Sequence, residues 1–416
     1  MPVTNLEKLI QQEWDFLNKD KNNFKKVLLH EPTFNHQEIL AVVKCMLSTN
    51  VTMGKRVLSF ENGFCKKFNF LNSVTCNSGS SANLLAISTL TNPELKSHLK
   101  KGDEVIVPAL SWSTTIWPII QCGLVPVFVD IDRNTLNINP IQIKKAITKK
   151  TKAIMPVHVY GNPCEMSEIT KICKDYNLYL IEDCCESMGA KYKNKSVGSF
   201  GEIGTFSFYF SHHITTIEGG VAVSNSDNFS ELMRILRAHG WIRELKKREK
   251  FRKKYKEIDE KFLFVNVGYN LRLNELQAAI GNIQLKKFNG ILKKRKTVAN
   301  RWANILSEFK DIFSFQEVTE NADHSWFGFC LTLKNPEKQK IRKFRKFLSE
   351  NGIENRPIIC GNVAKQPAIK NYKHRVIGTL ENSNYVMNNS FSIGCHQNIS
   401  YESQKYAFKV FKKFLS

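Results

Sequence analysis

The chain has 416 residues, 42% of them hydrophobic and 24% charged, and 61 Lys and Arg against 38 Asp and Glu give a formal net charge of +23. Such a composition suits a globular protein with a large core and a smaller second domain. It excludes a membrane span, since no apolar run approaches roughly 20 residues, and a secretory signal, since MPVTNLEKLIQQEWDFLNKD is too polar; the location expected is cytoplasmic.

In chain order, residues 1–60 read as a helical segment, with LEKLIQQEWDFL and HQEILAVVKCML carrying apolar positions at helical spacing. From about residue 74 short apolar runs alternate with helix-like stretches. SVTCN precedes SSANLLAISTL, DEVIVPAL precedes STTIWPIIQCG, VPVFVDI precedes PIQIKKAI, and KAIMPVHVY precedes CEMSEITKICKDY; LYLIED, GTFSFYF and GVAVS follow. This alternation predicts an α/β fold, a mostly parallel central sheet flanked by helices. Long helices then run to about residue 310, starting with RLNELQAAIGNIQLKKF, so the large domain is expected over 61–310. The remainder, 311–416, reads as a smaller α+β domain: WFGFCLTLK as a strand, QKIRKFRKFLSENG and SQKYAFKVFKKFL as helices.

The eleven cysteines form no CxxC or CxC spacing, which argues against a metal or iron–sulfur site built from close pairs. The basic stretch RELKKREKFRKKYKEIDEKF, residues 243–262, carries no nucleic-acid motif and reads as a solvated, partly helical insertion. The positive charge leaves a phosphate-bearing substrate as the anionic partner, with no nucleic acid and no membrane expected.

Three groups fall at strand ends, where open α/β sheets place their sites. NSGSSAN, residues 77–83, joins a strand to a helix, so the amides and hydroxyls of Ser80 and Ser81 form a candidate phosphate site. YLIEDCCES, residues 179–187, leads apolar residues into Asp183, which either pairs with a protonated ring nitrogen or caps the next segment. SFYFSHHITTIEGG, residues 207–220, runs from Ser207 through His212 and His213 to a glycine pair. Adjacent side chains on extended backbone point opposite ways, so the two histidines are not expected to share a metal.

Together with VTMGKRVLSFE, PVHVYGNP, GYNLRLNELQAAIGNIQL and ENRPIICGNVAKQP, these stretches resemble the DegT/DnrJ/EryC1/StrS family of fold-type I pyridoxal-phosphate enzymes from about residue 50 to the C-terminus. The resemblance implies that Ser80, Ser81 and Ser207 hold the cofactor phosphate. It implies that Trp112 stacks on the pyridine, that Asp183 keeps the ring nitrogen protonated and that Glu186 lies near the ring hydroxyl. Asn270 is expected to reach into the partner subunit of a homodimer, and His239 and Arg356 to face substrate. The family's cofactor-binding lysine aligns with His212, and imidazole cannot form the lysine's Schiff base.

This histidine, in SHH…EGG, resembles the family's C-3 dehydratase branch, which acts on nucleotide-linked 4-keto-6-deoxy sugars for 3,6-dideoxy sugar biosynthesis. The implied cofactors are pyridoxal phosphate and pyridoxamine phosphate, with L-glutamate restoring the amine form. A GDP-linked sugar is favoured over a CDP-linked one, because no cysteine-rich segment follows EGG. His212, expected to titrate near neutrality, would be base and acid in turn. Two alternatives stand beside this reading: an aminotransferase using Lys191, Lys193 or Lys195, and a non-catalytic scaffold.

Overall fold

A computed structural model describes residues 3–19, 23–245, 248–335 and 338–415. Seven strands build the large sheet: β1 (Asn72–Cys76), β2 (Glu104–Pro108), β3 (Val125–Val129), β4 (Thr151–Ile154), β5 (Tyr179–Asp183), β6 (Ile203–Ser207) and β7 (Gly220–Ser224). Their spatial order is β1-β7-β6-β5-β4-β2-β3, and the short strand Arg375–Val376 adds an eighth member beside β3. All pairings are parallel except those of β7, which runs antiparallel to both β1 and β6. Residues of β2, β3, β6 and β7 are buried throughout. Helices cover both faces, as a doubly buried parallel sheet requires.

Two expected strands are shorter than their sequences suggest. In KAIMPVHVY the strand, Thr151–Ile154, ends at Ile154 and Val157 makes only an isolated bridge to Asp183; residues 159–161 form a tight turn in which Tyr160 takes a φ of 57°. In GTFSFYF pairing stops at Ser207 because its antiparallel partner begins at Gly220. Phe208–Phe210 and the histidines behind them therefore lie beyond the strand end.

The helix Glu275–Leu306 runs from the large sheet into the C-terminal part of the chain. Its first turn is fixed by a capping box between Asn274 and Gln277. The Glu275 carboxylate accepts the amides of Gly54, Arg56 and Val57 at 2.8–3.0 Å. Farther along, the buried Trp302 packs into a second core with Phe329, Phe344, Phe391 and Phe411, and its Nε1 donates to the Gly394 carbonyl at 3.0 Å. An antiparallel sheet of Phe313–Phe315, Phe329–Leu333, Ser390–Ile393 and Asn355–Arg356 lies on this core. Among the described residues no helix is long and apolar enough to cross a membrane. Within 243–262, Lys246 and Lys247 lie outside the described residues; Glu249–Lys254 is helical with no buried residue.

Candidate active site

The carboxyl ends of β1, β2, β5 and β6 and the start of antiparallel β7 meet at one edge of the sheet, around a cavity of about 520 Å³. Each wall is placed by local sequence. At the end of β1, Ser78 caps the helix Gly79–Leu90, its Oγ accepting the Ser81 amide at 3.0 Å. The amides of Gly79 and Ser80 come before it in that first turn, where no intrahelical acceptor reaches them, and both residues line the cavity. Gly79 lets the helix start approach Ser207: a Cβ there would lie 2.6 Å from the Ser207 Cβ. After β2, Trp112 precedes the helix Ser113–Gln121 and stands 54% exposed at the cavity, which rules out a core tryptophan.

Asp183 ends β5, and its carboxylate is gripped from two other elements. Thr115 Oγ1 donates to Oδ2 at 2.7 Å and Asn83 Nδ2 donates to the same oxygen at 2.9 Å. Asn83 is itself oriented by Thr205 Oγ1, which donates to its Oδ1 at 2.6 Å. The carboxylate is therefore not spent as a helix cap, although Oδ1 does accept the Cys185 amide at 3.1 Å. On the other face of the strand, Glu182 accepts amides from Gly198, Phe200 and Gly201 and meets His158 Nε2 at 3.2 Å, anchoring the strand end.

His212 lies on the cavity wall with its ring edge-on to Phe327 at 5.0 Å. Its Nδ1 is enclosed and has no hydrogen-bond partner, which leaves Nε2 as the nitrogen that meets the cavity. The near-neutral titration expected from sequence is not found. Burial, and after it the positive charge of Arg356, push this imidazole down to about 3, so His212 is a neutral base at working pH. His213 points elsewhere, into a buried contact between its Nε2 and the Ser325 carbonyl at 2.9 Å.

Glu186 also lines the cavity, and its Oε2 accepts the Tyr160 amide at 3.0 Å. Burial raises this carboxyl to about 7, against the opposing charge of Arg356. The Arg356 guanidinium lies 5.7 Å from the Phe327 ring centroid. Tyr160, in its left-handed conformation, joins the two: its amide serves Glu186 and its buried hydroxyl meets Ser392 Oγ at 2.8 Å.

Ser80, Trp112, Asp183, Glu186, Ser207, His212 and Arg356 thus come together on one cavity. Ser81 is not among the residues that line it, and its amide is given to the Ser78 cap. Asn270 and His239 lie outside it as well. Both are exposed, and Arg272 links them by donating to Asn270 Oδ1 at 3.1 Å and meeting His239 Nε2 at 3.2 Å. Sequence reasoning missed Asn83, Thr115, Tyr160 and Phe327. Asn83 stood inside a quoted motif and Thr115 three residues after Trp112, but neither spacing reveals that both grip Asp183.

Among the described residues no lysine lines the cavity. Lys191, Lys193 and Lys195 sit on a separate small sheet and line a different surface cavity.

The model of the DegT/DnrJ/EryC1/StrS aminotransferase family matches residues 32–412. The chain belongs to that family. GDP-4-keto-6-deoxy-D-mannose 3-dehydratase of Yersinia pseudotuberculosis is 39% identical over 94% of this chain and 100% of its own. The solved E. coli GDP-4-keto-6-deoxy-D-mannose-3-dehydratase with bound hydrated PLP superposes with a TM-score of 0.86 at 38% identity, over 92% of this chain and 99% of its own. A GDP-4-keto-6-deoxymannose-3-dehydratase with a trapped PLP-glutamate geminal diamine gives 0.85 at 38%, covering 92% and 100%.

The cavity fits such a cofactor. It offers open first-turn amides and two serine hydroxyls for a phosphate, a flat exposed indole, a carboxylate held to face a ring nitrogen, and an imidazole nitrogen at the wall. Its volume is in the range of small-molecule sites.

Proposed function

We propose that this protein is a pyridoxal/pyridoxamine-phosphate-dependent C-3 dehydratase of a GDP-linked 4-keto-6-deoxy sugar, with L-glutamate reloading the cofactor amine. The observation that carries this reading is His212 on a cofactor-sized cavity that no lysine lines among the described residues.

When bound, the protonated pyridine ring supplies an electron sink that makes a neighbouring C–H acidic. The chain's residues divide the remaining work. The amides of Gly79 and Ser80 and the hydroxyls of Ser80 and Ser207 would bind the phosphate at the positive end of the helix Gly79–Leu90. Asp183, held by Thr115 and Asn83, would keep the ring nitrogen protonated. Trp112 would cover the ring face, and Glu186 would lie beside the ring hydroxyl.

Nε2 of His212, neutral in the buried site, takes the proton from carbon and then gives it to the oxygen of the departing C3 hydroxyl. The Arg356 charge that helps hold the imidazole down would be offset by an anionic group bound beside it. Arg356 would face the substrate carboxylate or diphosphate. Asn270 and His239, exposed and outside the cavity, would complete the site of a second copy in a homodimer. The location that goes with this activity is the cytoplasm, where thiols stay reduced.

Purified protein given pyridoxamine phosphate, glutamate and a GDP- or CDP-linked 4-keto-6-deoxy sugar should release ammonia and a 3-deoxy sugar, fastest with GDP. The variant His212→Asn should bind cofactor yet lose turnover, and borohydride should fix no cofactor to lysine. An aminated sugar product, or a reducible lysine adduct, defeats the reading.

A further inference from the structure

Arg295 lies outside the large cavity, on the helix Glu275–Leu306, and is 2% exposed. Among the described residues no carboxylate pairs with it, and its buried Nε has no hydrogen-bond partner. Burial pulls its pKa from 12.5 down to about 10. A buried charge without a counter-charge costs stability, and an apolar side chain would suit the core around Trp302 better. What the guanidinium supplies is one donor point for three carbonyls. Its Nη1 donates to Trp326 at 3.2 Å, to Phe327 at 3.3 Å and to Cys395 at 3.1 Å.

The segment 325–327 that it grips stands against the proposed base. The Ser325 and Phe327 amides donate to the Gly161 and Tyr160 carbonyls at 2.9 and 2.8 Å. Between them Trp326 takes a φ of 54°, a costly conformation for so bulky a residue that only firm neighbours can impose. The Ser325 carbonyl accepts His213 Nε2 at 2.9 Å, which ties the segment to the loop of the two histidines. That loop is also held at Thr215, whose amide donates to Gln284 Oε1 at 3.2 Å. Gln284 and Arg295 lie on one face of the same helix, about three turns apart.

Phe327 carries its ring to the cavity wall, 5.0 Å from His212 and edge-on to it. Among the described residues the His212 ring makes no hydrogen bond, so its direction is set by packing against Phe327 and against Tyr209 at 5.9 Å. We propose that Arg295 is a positioning residue for this base. By gathering the Trp326 and Phe327 carbonyls it fixes the Phe327 ring, and through that ring the direction of the His212 imidazole. The inference rests on the reading of His212 as the base. No proton passes through Arg295; it acts on geometry.

The test uses the full chain and the variants Arg295→Met, Arg295→Lys and Phe327→Leu. With ring-labelled histidine and no ligand, NMR should show the His212 ring protons of Arg295→Met moving toward their Phe327→Leu positions. Arg295→Lys, whose ammonium offers three hydrogens to the three carbonyls, should stay near the parent. In turnover, Arg295→Met should lose about tenfold to a hundredfold in kcat, with KM for the GDP-linked sugar changed less than about threefold. Arg295→Lys should recover most of that loss. Combining Arg295→Met with Phe327→Leu should cost no more than the worse single substitution, because both break one linkage. Parental ring shifts and kcat in Arg295→Met, even with a lower unfolding midpoint, overturn the proposal, as do additive losses in the double variant. A Phe327→Leu protein with the parent's kcat overturns it whether or not Arg295→Met folds. The ring shifts are read without cofactor or turnover, so an active His212→Asn variant refutes the base assignment separately.

Discussion

Replacing Gly79 by Ala tests the idea that a close approach of backbone to Ser207 builds the phosphate site. Gly79 opens the helix Gly79–Leu90, and in an open helix Ala would be favoured over Gly by roughly 1 kcal/mol. Here the new methyl would lie 2.6 Å from the Ser207 Cβ, 2.9 Å from its Oγ and 3.1 Å from the Cys185 Sγ. Carbon atoms pack at about 3.5–4.0 Å, so the helix start must move away from β6 by about 1 Å. Overpacking of this kind costs about 1–3 kcal/mol, which reverses the helix preference. The shift also pulls the Gly79 and Ser80 amides from the Ser207 hydroxyl, with which they would share the phosphate under the proposed function. Loss of about one hydrogen bond's net worth, near 1.4 kcal/mol, weakens binding about tenfold. Thermal unfolding should show a lower midpoint for Gly79→Ala. Titration with pyridoxamine phosphate should give about tenfold weaker binding, while phosphate-free pyridoxamine binds both proteins alike. A variant as stable as the parent that binds pyridoxamine phosphate equally well refutes the reasoning.

Acid should destabilise the fold through buried histidines. His212, His324 and His396 are each lowered to about 3, chiefly by burial, while an unfolded chain protonates them near 6.5. The neutral form is favoured in the fold, so the stability they contribute is present above about pH 6.5 and lost as pH falls toward 3. At pH 5 that is about 2 kcal/mol each and about 6 kcal/mol together, comparable to a whole domain's margin. Denaturant titrations at pH 8 and pH 5 should show it, and an unchanged transition midpoint would contradict it. Glu186 has the opposite sign. Its carboxyl, raised to about 7 by burial, loses stability as pH rises through 7, so Glu186→Gln should be more stable at pH 8 by up to about 3 kcal/mol and gain nothing at pH 4. Equal stabilisation at both pH values would mean that packing, not ionisation, sets the difference.

The ends of strands were the readable part of the site. An apolar run leading into Asp183, a serine-rich helix start after β1, and a polar corner before a glycine pair each announce a place where a parallel sheet stops and side chains face out. Their periodicity needs only local backbone geometry. The two overlong strand assignments failed because partner length, not β-propensity, ends a strand. Ser207 pairs with Gly220, and beyond it only Phe208 keeps backbone hydrogen bonds across the loop, to Gly219 and Thr216. The Ser81 amide is taken by Ser78, a cap set by local backbone geometry. The C-terminal residues Arg375–Val376 joining the large sheet, and Trp302 of the long helix joining the second core, follow from long-range packing that no window of sequence contains.

The sequence by itself determined the layered α/β architecture and the substitution of imidazole for an amine at position 212, because periodicity and residue chemistry are local properties. Only the tertiary structure decided how those residues behave. Asn83 and Thr115 lie 100 and 68 residues from Asp183 and meet on one of its oxygens. Burial together with the Arg356 charge turns His212 into a neutral base. Protonation depends on what surrounds a group in space, and those surroundings come from distant parts of the chain.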